Sequence, residues 1–148
     1  MARKAETTFT ASVHRHLPLG VHREKMNNPY RSGTADVWYS GQKDLWVEYK
    51  FIPALPKRKE TMITLDLSEN QKIWLRERYA EGRHVAVICG CKTGGVLFTD
   101  LNWEEPIQTS VFVARTVTRQ VLAKWLLDHT GEVNHGTPEA PSRASVIR

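Results

Sequence analysis

Residues 33–51, GTADVWYSGQKDLWVEYKF, decide the fold, because β-branched and aromatic residues alternate on either side of the polar run Ser40-Gly41-Gln42-Lys43-Asp44. That pattern predicts two strands joined by a short loop. Side chains alternate along a strand, so Ala35, Val37 and Tyr39 share one face while Thr34, Asp36 and Trp38 share the other. On the second strand Leu45, Val47, Tyr49 and Phe51 form one face, and Trp46, Glu48, Lys50 and Ile52 the opposite one. A fold about Gln42 sets Trp38 against Trp46, Asp36 against Glu48 and Thr34 against Lys50. This register keeps the aliphatic faces together, which a slip of one residue would not.

The register carries an electrostatic consequence. Two carboxylates directly opposite each other have Cβ atoms about 4.5–5.5 Å apart, a destabilising pairing unless a positive charge lies between them. A divalent cation meets that need. With oxygen ligands and no His or Cys on the face, the ion would be a hard one, Mg²⁺ or Mn²⁺, which keeps waters for a phosphate to displace. Lys50, two residues beyond Glu48, projects from the same face and puts an ammonium beside the ion. The plain alternative is a solvent-facing hairpin with an exposed Glu-Lys pair. Asp36, in the cross-strand position, argues against it.

Gly33-Thr-Ala-Asp36 followed by Glu48-Tyr-Lys50 resembles the D…(D/E)-x-K signature of the PD-(D/E)XK nuclease superfamily. It is most similar to the VRR-NUC and archaeal Holliday-junction-resolvase branches and to small endonucleases of bacteriophages. The resemblance implies that Asp36 and Glu48 bind one or two Mg²⁺, with Mn²⁺ as a substitute, helped by the Tyr49 carbonyl and by Glu6 of a first helix. It also implies that Lys50 assists the water that hydrolyses a phosphodiester. The pattern departs at one point, with Ala35 where the family usually has a proline that is not a ligand. Leu67-Ser68-x-x-Gln71, then a helix, Gly82 and an apolar strand, extends the resemblance over residues 6–91 and implies that Gln71 lies beside the metal.

Composition sets the outer limits. A chain of 148 residues, 41% hydrophobic and 25% charged, reads as one soluble domain with a real core, spanning residues 1–131. No apolar run approaches a membrane span and no signal-peptide core is present, which predicts an intracellular, cytoplasmic protein, in the host cytoplasm if phage-encoded. Cys89 and Cys91 lie within an apolar run and read as buried thiols. With His84 they fall short of a tetrahedral zinc set. The net charge of +5 is uneven: residues 1–60 hold eleven Lys/Arg against six Asp/Glu, and residues 61–148 hold ten of each. A basic half that also carries Asp36 and Glu48 fits a polyanionic substrate such as DNA. Lys25, Arg31 and the run Lys57-Arg58-Lys59 are the candidate phosphate contacts.

Along the chain, Phe9, Val13 and Leu17 recur at helical spacing and predict a helix over 6–17. Glu6 shares their inward face, either as a first-turn acid or as a third carboxylate at the site. His14 and His16 fall on different helix faces, so they read as surface or phosphate-contacting residues rather than a metal pair. Residues 21–27 suggest a strand on which Glu24 is a reserve acid, should Glu6 prove remote. Gly33 provides either an unusual φ/ψ or a close backbone approach just ahead of Asp36. Residues 52–66, with Pro53, Pro56 and the basic run, predict a mobile loop.

Ser68 and Gln71 form a capping box for a helix ended by Gly82, and capping alone accounts for Gln71 as well as a place in the site does. His84 to Cys91 is apolar on both faces and predicts a central strand covered by helices on each side. Residues 96–99 follow as a strand, 109–114 as an edge strand, and Trp103 as a core or interface aromatic. A last helix, capped by Thr116 or Thr118, carries Val121, Leu122, Trp125 and Leu126 toward the sheet or toward a second copy. From residue 132 on, the polar composition predicts a flexible tail.

These readings predict a restriction-endonuclease-like three-layer α/β/α domain with a central mixed sheet in αβββαβ order. The predicted function is Mg²⁺-dependent cleavage of DNA by Asp36, Glu48, Lys50 and Gln71, with branched junctions as one substrate and a homodimer as one assembly. Two other classes fit the same residues: a nuclease-fold DNA-binding module without turnover, and a basic scaffold for an acidic protein.

Overall fold

The computed structural model of the protein describes residues 2–26 and 33–131. Its helices are α1 (Ala2–His14), α2 (Glu69–Ala80), α3 (Thr109–Arg115) and α4 (Arg119–Thr130). The strands are β1 (His22–Lys25), β2 (Val37–Ser40), β3 (Asp44–Phe51), β4 (Met62–Ile63), β5 (Val85–Cys91), β6 (Gly94–Phe98) and β7 (Ile107–Gln108). Five strands form one sheet in the order β1-β2-β3-β5-β6; β3 and β5 run parallel and every other pair antiparallel. None of the described helices is long and apolar enough to cross a membrane.

Over β2 and β3 the hairpin adopts the expected register, with Val37 opposite Val47, Trp38 opposite Trp46 and Ser40 opposite Asp44, but the ladder ends there, so the expected Asp36–Glu48 and Thr34–Lys50 pairs do not form. Alternation then divides the core in two. On one face Val37, Tyr39, Leu45, Val47, Tyr49, Ala86 and Ile88 bury against Phe9 and Val13 of α1 and Leu122 and Leu126 of α4. On the other, Val85, Val87, Cys89, Cys91, Val96 and Phe98 meet Leu75 of α2, Trp103 and Phe112. Sheet and two helical covers make the three-layer α/β/α sandwich. All seven residues of β5 are buried, as a central strand requires. Cys89 and Cys91 are free, buried thiols, and burial first, with Cys91 next, pushes Cys89 up to about 12.

Four expectations are corrected. The first helix spans Ala2–His14 rather than 6–17, and Leu17 buries from the turn that follows it. Residues 109–114 are helical. There Thr109 hangs its N–H and hydroxyl on the Thr61 carbonyl and turns Phe112, three residues on, into the core, while Val111 and Val113 stay exposed. The segment after Pro56 is ordered at its distal end, where β4 pairs with β7 and Ile63, Leu65 and Leu67 bury. In α4 the inward stripe is Leu122, Ala123 and Leu126, and Val121 is 52% exposed; the helix covers the sheet, with Thr118 as its N-cap. Trp103 is a core residue. The 132–148 tail and the Asn27-Asn28-Pro29 stop lie outside the described residues.

α1 packs so closely on the sheet that a Cβ on Gly90 would sit 2.6 Å from the Phe9 ring. Gly90→Ala is therefore expected to cost about 1–3 kcal/mol, read as a lower urea midpoint at unchanged m-value.

Candidate active site

The pairing of β2 with β3 stops at Val37–Val47, so beyond Val47 the outer side of β3 has no strand beside it among the described residues. Asp36 occupies that gap. It sits at a bend one residue before β2, and its Oδ2 accepts the Tyr49 N–H at 3.0 Å, a side chain replacing the missing rung. The N–H and C=O of one strand residue project to the same side, so the Tyr49 carbonyl opens on the Asp36 side. Its ring goes the other way, into the core. Gly33, three residues earlier, has φ +94°, and a Cβ there would meet the Asn70 carbonyl at 2.5 Å. Both reasons expected for a glycine apply.

Glu48 is the most unusual side chain in the domain. It is 1% exposed. Its Oε2 accepts Gln71 Nε2 at 2.9 Å and lies 3.6 Å from Lys50 Nζ, while Oε1 is buried with no hydrogen-bond partner among the described residues. Burial first, then the Asp36 charge, push its carboxyl up to about 9 from an ordinary 4.5, and Glu6 adds to the rise. Lys50 opposes the shift and is outweighed. An acid without a partner for one oxygen, hemmed in by two further acids, is an arrangement that a cation completes.

Gln71 bonds in two directions. Its Oε1 accepts the Ser68 N–H at 2.9 Å, closing the capping box, while its Nε2 holds Glu48. Gln71→Leu would remove both bonds. It is expected to lower stability by about 1–3 kcal/mol, measured by chemical denaturation, with the start of α2 losing amide protection first.

The acid edge opens into a cleft of about 760 Å³ whose lining includes Glu6, His14, Arg23, Lys25 and Asp36. Glu6 thus reaches the site from α1. Among the described residues no three His, Cys, Asp or Glu side chains converge as a ready-made metal set; the Glu6 charge is felt at Glu48, whose carboxyl it helps to raise. Two carboxylates and a carbonyl are what Mg²⁺ takes when waters and phosphate supply its other ligands. Glu24, the reserve acid, bonds to exposed His22 at 3.2 Å instead. Lys57, Arg58 and Lys59 are exposed, and Arg31 lies outside the described residues.

His14 is partly buried and lines the cleft. Its Nε2 hydrogen-bonds the Tyr39 hydroxyl at 2.7 Å, and Tyr39 in turn bonds the Tyr49 hydroxyl. Burial first, and Arg23 second, hold His14 down at about 4, so it is neutral at physiological pH. Arg23 is the cleft residue that the sequence reading passed over. The signal was parity: Arg23 and Lys25 lie opposite Tyr39 and Val37 and so share the α1 face.

No protein-family model and no curated protein matches the chain. Among solved structures it is similar to Hjc, a Holliday junction resolvase from the archaeal hyperthermophile Archaeoglobus fulgidus, with a TM-score of 0.50 and 17% identity. The match covers 82% of this chain and 98% of Hjc. At that identity the likeness concerns architecture, and it agrees with the layers and sheet described above: this chain has a restriction-endonuclease-like fold.

Proposed function

We propose that the protein is a divalent-metal-dependent DNA endonuclease. The observation that carries this reading is the buried Glu48 carboxylate, one oxygen fixed by Gln71 and Lys50 and the other without a partner among the described residues, beside Asp36 at the end of the β2–β3 ladder. Asp36, Glu48 and the Tyr49 carbonyl would hold Mg²⁺ or Mn²⁺, with Glu6 adding negative charge. The ion, when bound, supplies a Lewis acid for a phosphate oxygen and lowers the pKa of a water. Gln71 fixes the orientation of Glu48, and Asp36 is fixed by the Tyr49 N–H. The Lys50 ammonium, 13% exposed at the edge, orients the attacking water and offsets charge building on the phosphate. Arg23 and Lys25 in the cleft, with Lys57, Arg58 and Lys59, provide backbone contacts.

Branched DNA is the favoured substrate, because a junction resolvase shares this fold. The test is a cleavage panel of four-way junction, flap, nicked, plain duplex and single-stranded DNA with Mg²⁺ or Mn²⁺. Cutting that stops with chelator and with Asp36→Ala is expected. DNA that is bound but left intact under every condition would make the protein a binding module instead.

A further inference from the structure

The face of β1–β2–β3 that carries Glu48 is only partly roofed, since α2 lies over β5. Three partly exposed tryptophans occupy it. Trp38 and Trp46 stack with centroids 5.9 Å apart and planes at 21°, and Trp74 of α2 meets Trp46 edge-on at 5.6 Å. Trp46 and Trp74 pack against the core, whereas Trp38 belongs to neither core cluster. Strand geometry fixes where the strip lies: on β3, Trp46 is two residues from Glu48 on the same face. That separation is about 7 Å, or roughly two stacked nucleotides. Away from the acids the strip runs into a cleft of about 170 Å³ lined by Trp46, Lys43, Asp44, Gly82, Arg83 and His84. Arg78 lies over Trp74 at 5.4 Å. Glu81 pairs with both Arg78 and Arg83.

We propose that this strip is a stacking platform for unpaired DNA bases, with the phosphates of the same strand passing Lys43, Arg83 and His84. Flat aromatic faces interleaved with cations bind single strands without reading sequence, whereas a duplex keeps its bases stacked on one another. The proposal rests on the nuclease reading for its biological sense, giving a substrate with an unpaired strand beside the cut, but its test does not require cleavage. In chelator, the whole protein is titrated with a thymidine oligonucleotide of about twelve residues, with an abasic oligonucleotide of equal length and with a duplex, following tryptophan fluorescence.

The thymidine strand is expected to quench the emission and to bind at least about ten-fold more tightly than the abasic strand, with no quenching by duplex. Trp38→Leu, checked for an intact fold by circular dichroism, should weaken thymidine binding about ten-fold and leave abasic binding unchanged. Equal affinity for the thymidine and abasic strands, without quenching, would overturn the proposal even if the protein cuts DNA. Quenching and tight binding by a protein that cuts nothing would leave it standing and remove the nuclease reading.

Discussion

Replacing Glu48 by Gln is expected to lower DNA cleavage by about a thousand-fold or more while making the metal-free protein more stable at pH 8. The first effect follows from losing a charged ligand at the proposed ion site, where several kcal/mol of transition-state stabilisation are at stake and each 1.36 kcal/mol is about a factor of ten. The second follows from burial: the native carboxyl must either hold its proton or ionise next to Asp36 and Glu6. A glutamine keeps the shape and the acceptor for Gln71 Nε2 and removes the ionisation. Cleavage assays and thermal melts in chelator, run on one preparation, check both halves. An active Glu48→Gln enzyme would sink the proposed chemistry, and a lower melting temperature would sink the account of the buried acid.

Between about pH 6.5 and 9 the stability of the metal-free protein is expected to fall. Glu48 titrates near 9 when folded and near 4.5 when free, so across that interval the native state binds more protons than the unfolded chain. Its stabilising contribution is complete below the unfolded value and lost as pH rises through the folded one. The slope is on the order of 1 kcal/mol per pH unit at most. His14 works in the opposite sense: held near 4 against an ordinary 6.5, it adds stability as pH rises to 6.5 and nothing beyond. The alkaline interval therefore reports on Glu48 by itself of the two. Melting temperatures in chelator from pH 6.5 to 9 should decline for the wild type and stay flatter for Glu48→Gln. Mn²⁺ should raise the wild-type value most at the alkaline end, because metal and proton compete for the same oxygens. Parallel pH profiles for the two proteins would refute the assignment.

Much of the central hairpin was legible because strand parity is a strict code: once Trp38 faces Trp46, every other side chain in the pair has an assigned side. Asp36 lies beyond the reach of that code, at a bend where its carboxylate takes the Tyr49 N–H in place of a cross-strand pairing with Glu48, and Gln71 was legible from its helix cap, which says nothing of its second bond to Glu48. Residues 109–115 were not legible. Their Thr-Ser-Val-Phe-Val run has strand composition, and the helix depends on Thr61, 48 positions away, for its anchor. The segment before α2 carried a readable signal in the alternating Ile63, Leu65 and Leu67, masked by the prolines and charges ahead of it. The bond from His14 to Tyr39 was not legible, because spacing along a helix says nothing about a partner 25 residues on.

Gln71 grips Ser68 with one end of its amide and Glu48 with the other. The opening turn of that helix and the acid edge therefore come apart as one event: whatever frays the turn also sets the carboxylate loose. A residue that begins the helix equally well but cannot reach across to the strand is expected to leave the protein folded with Glu48 unheld.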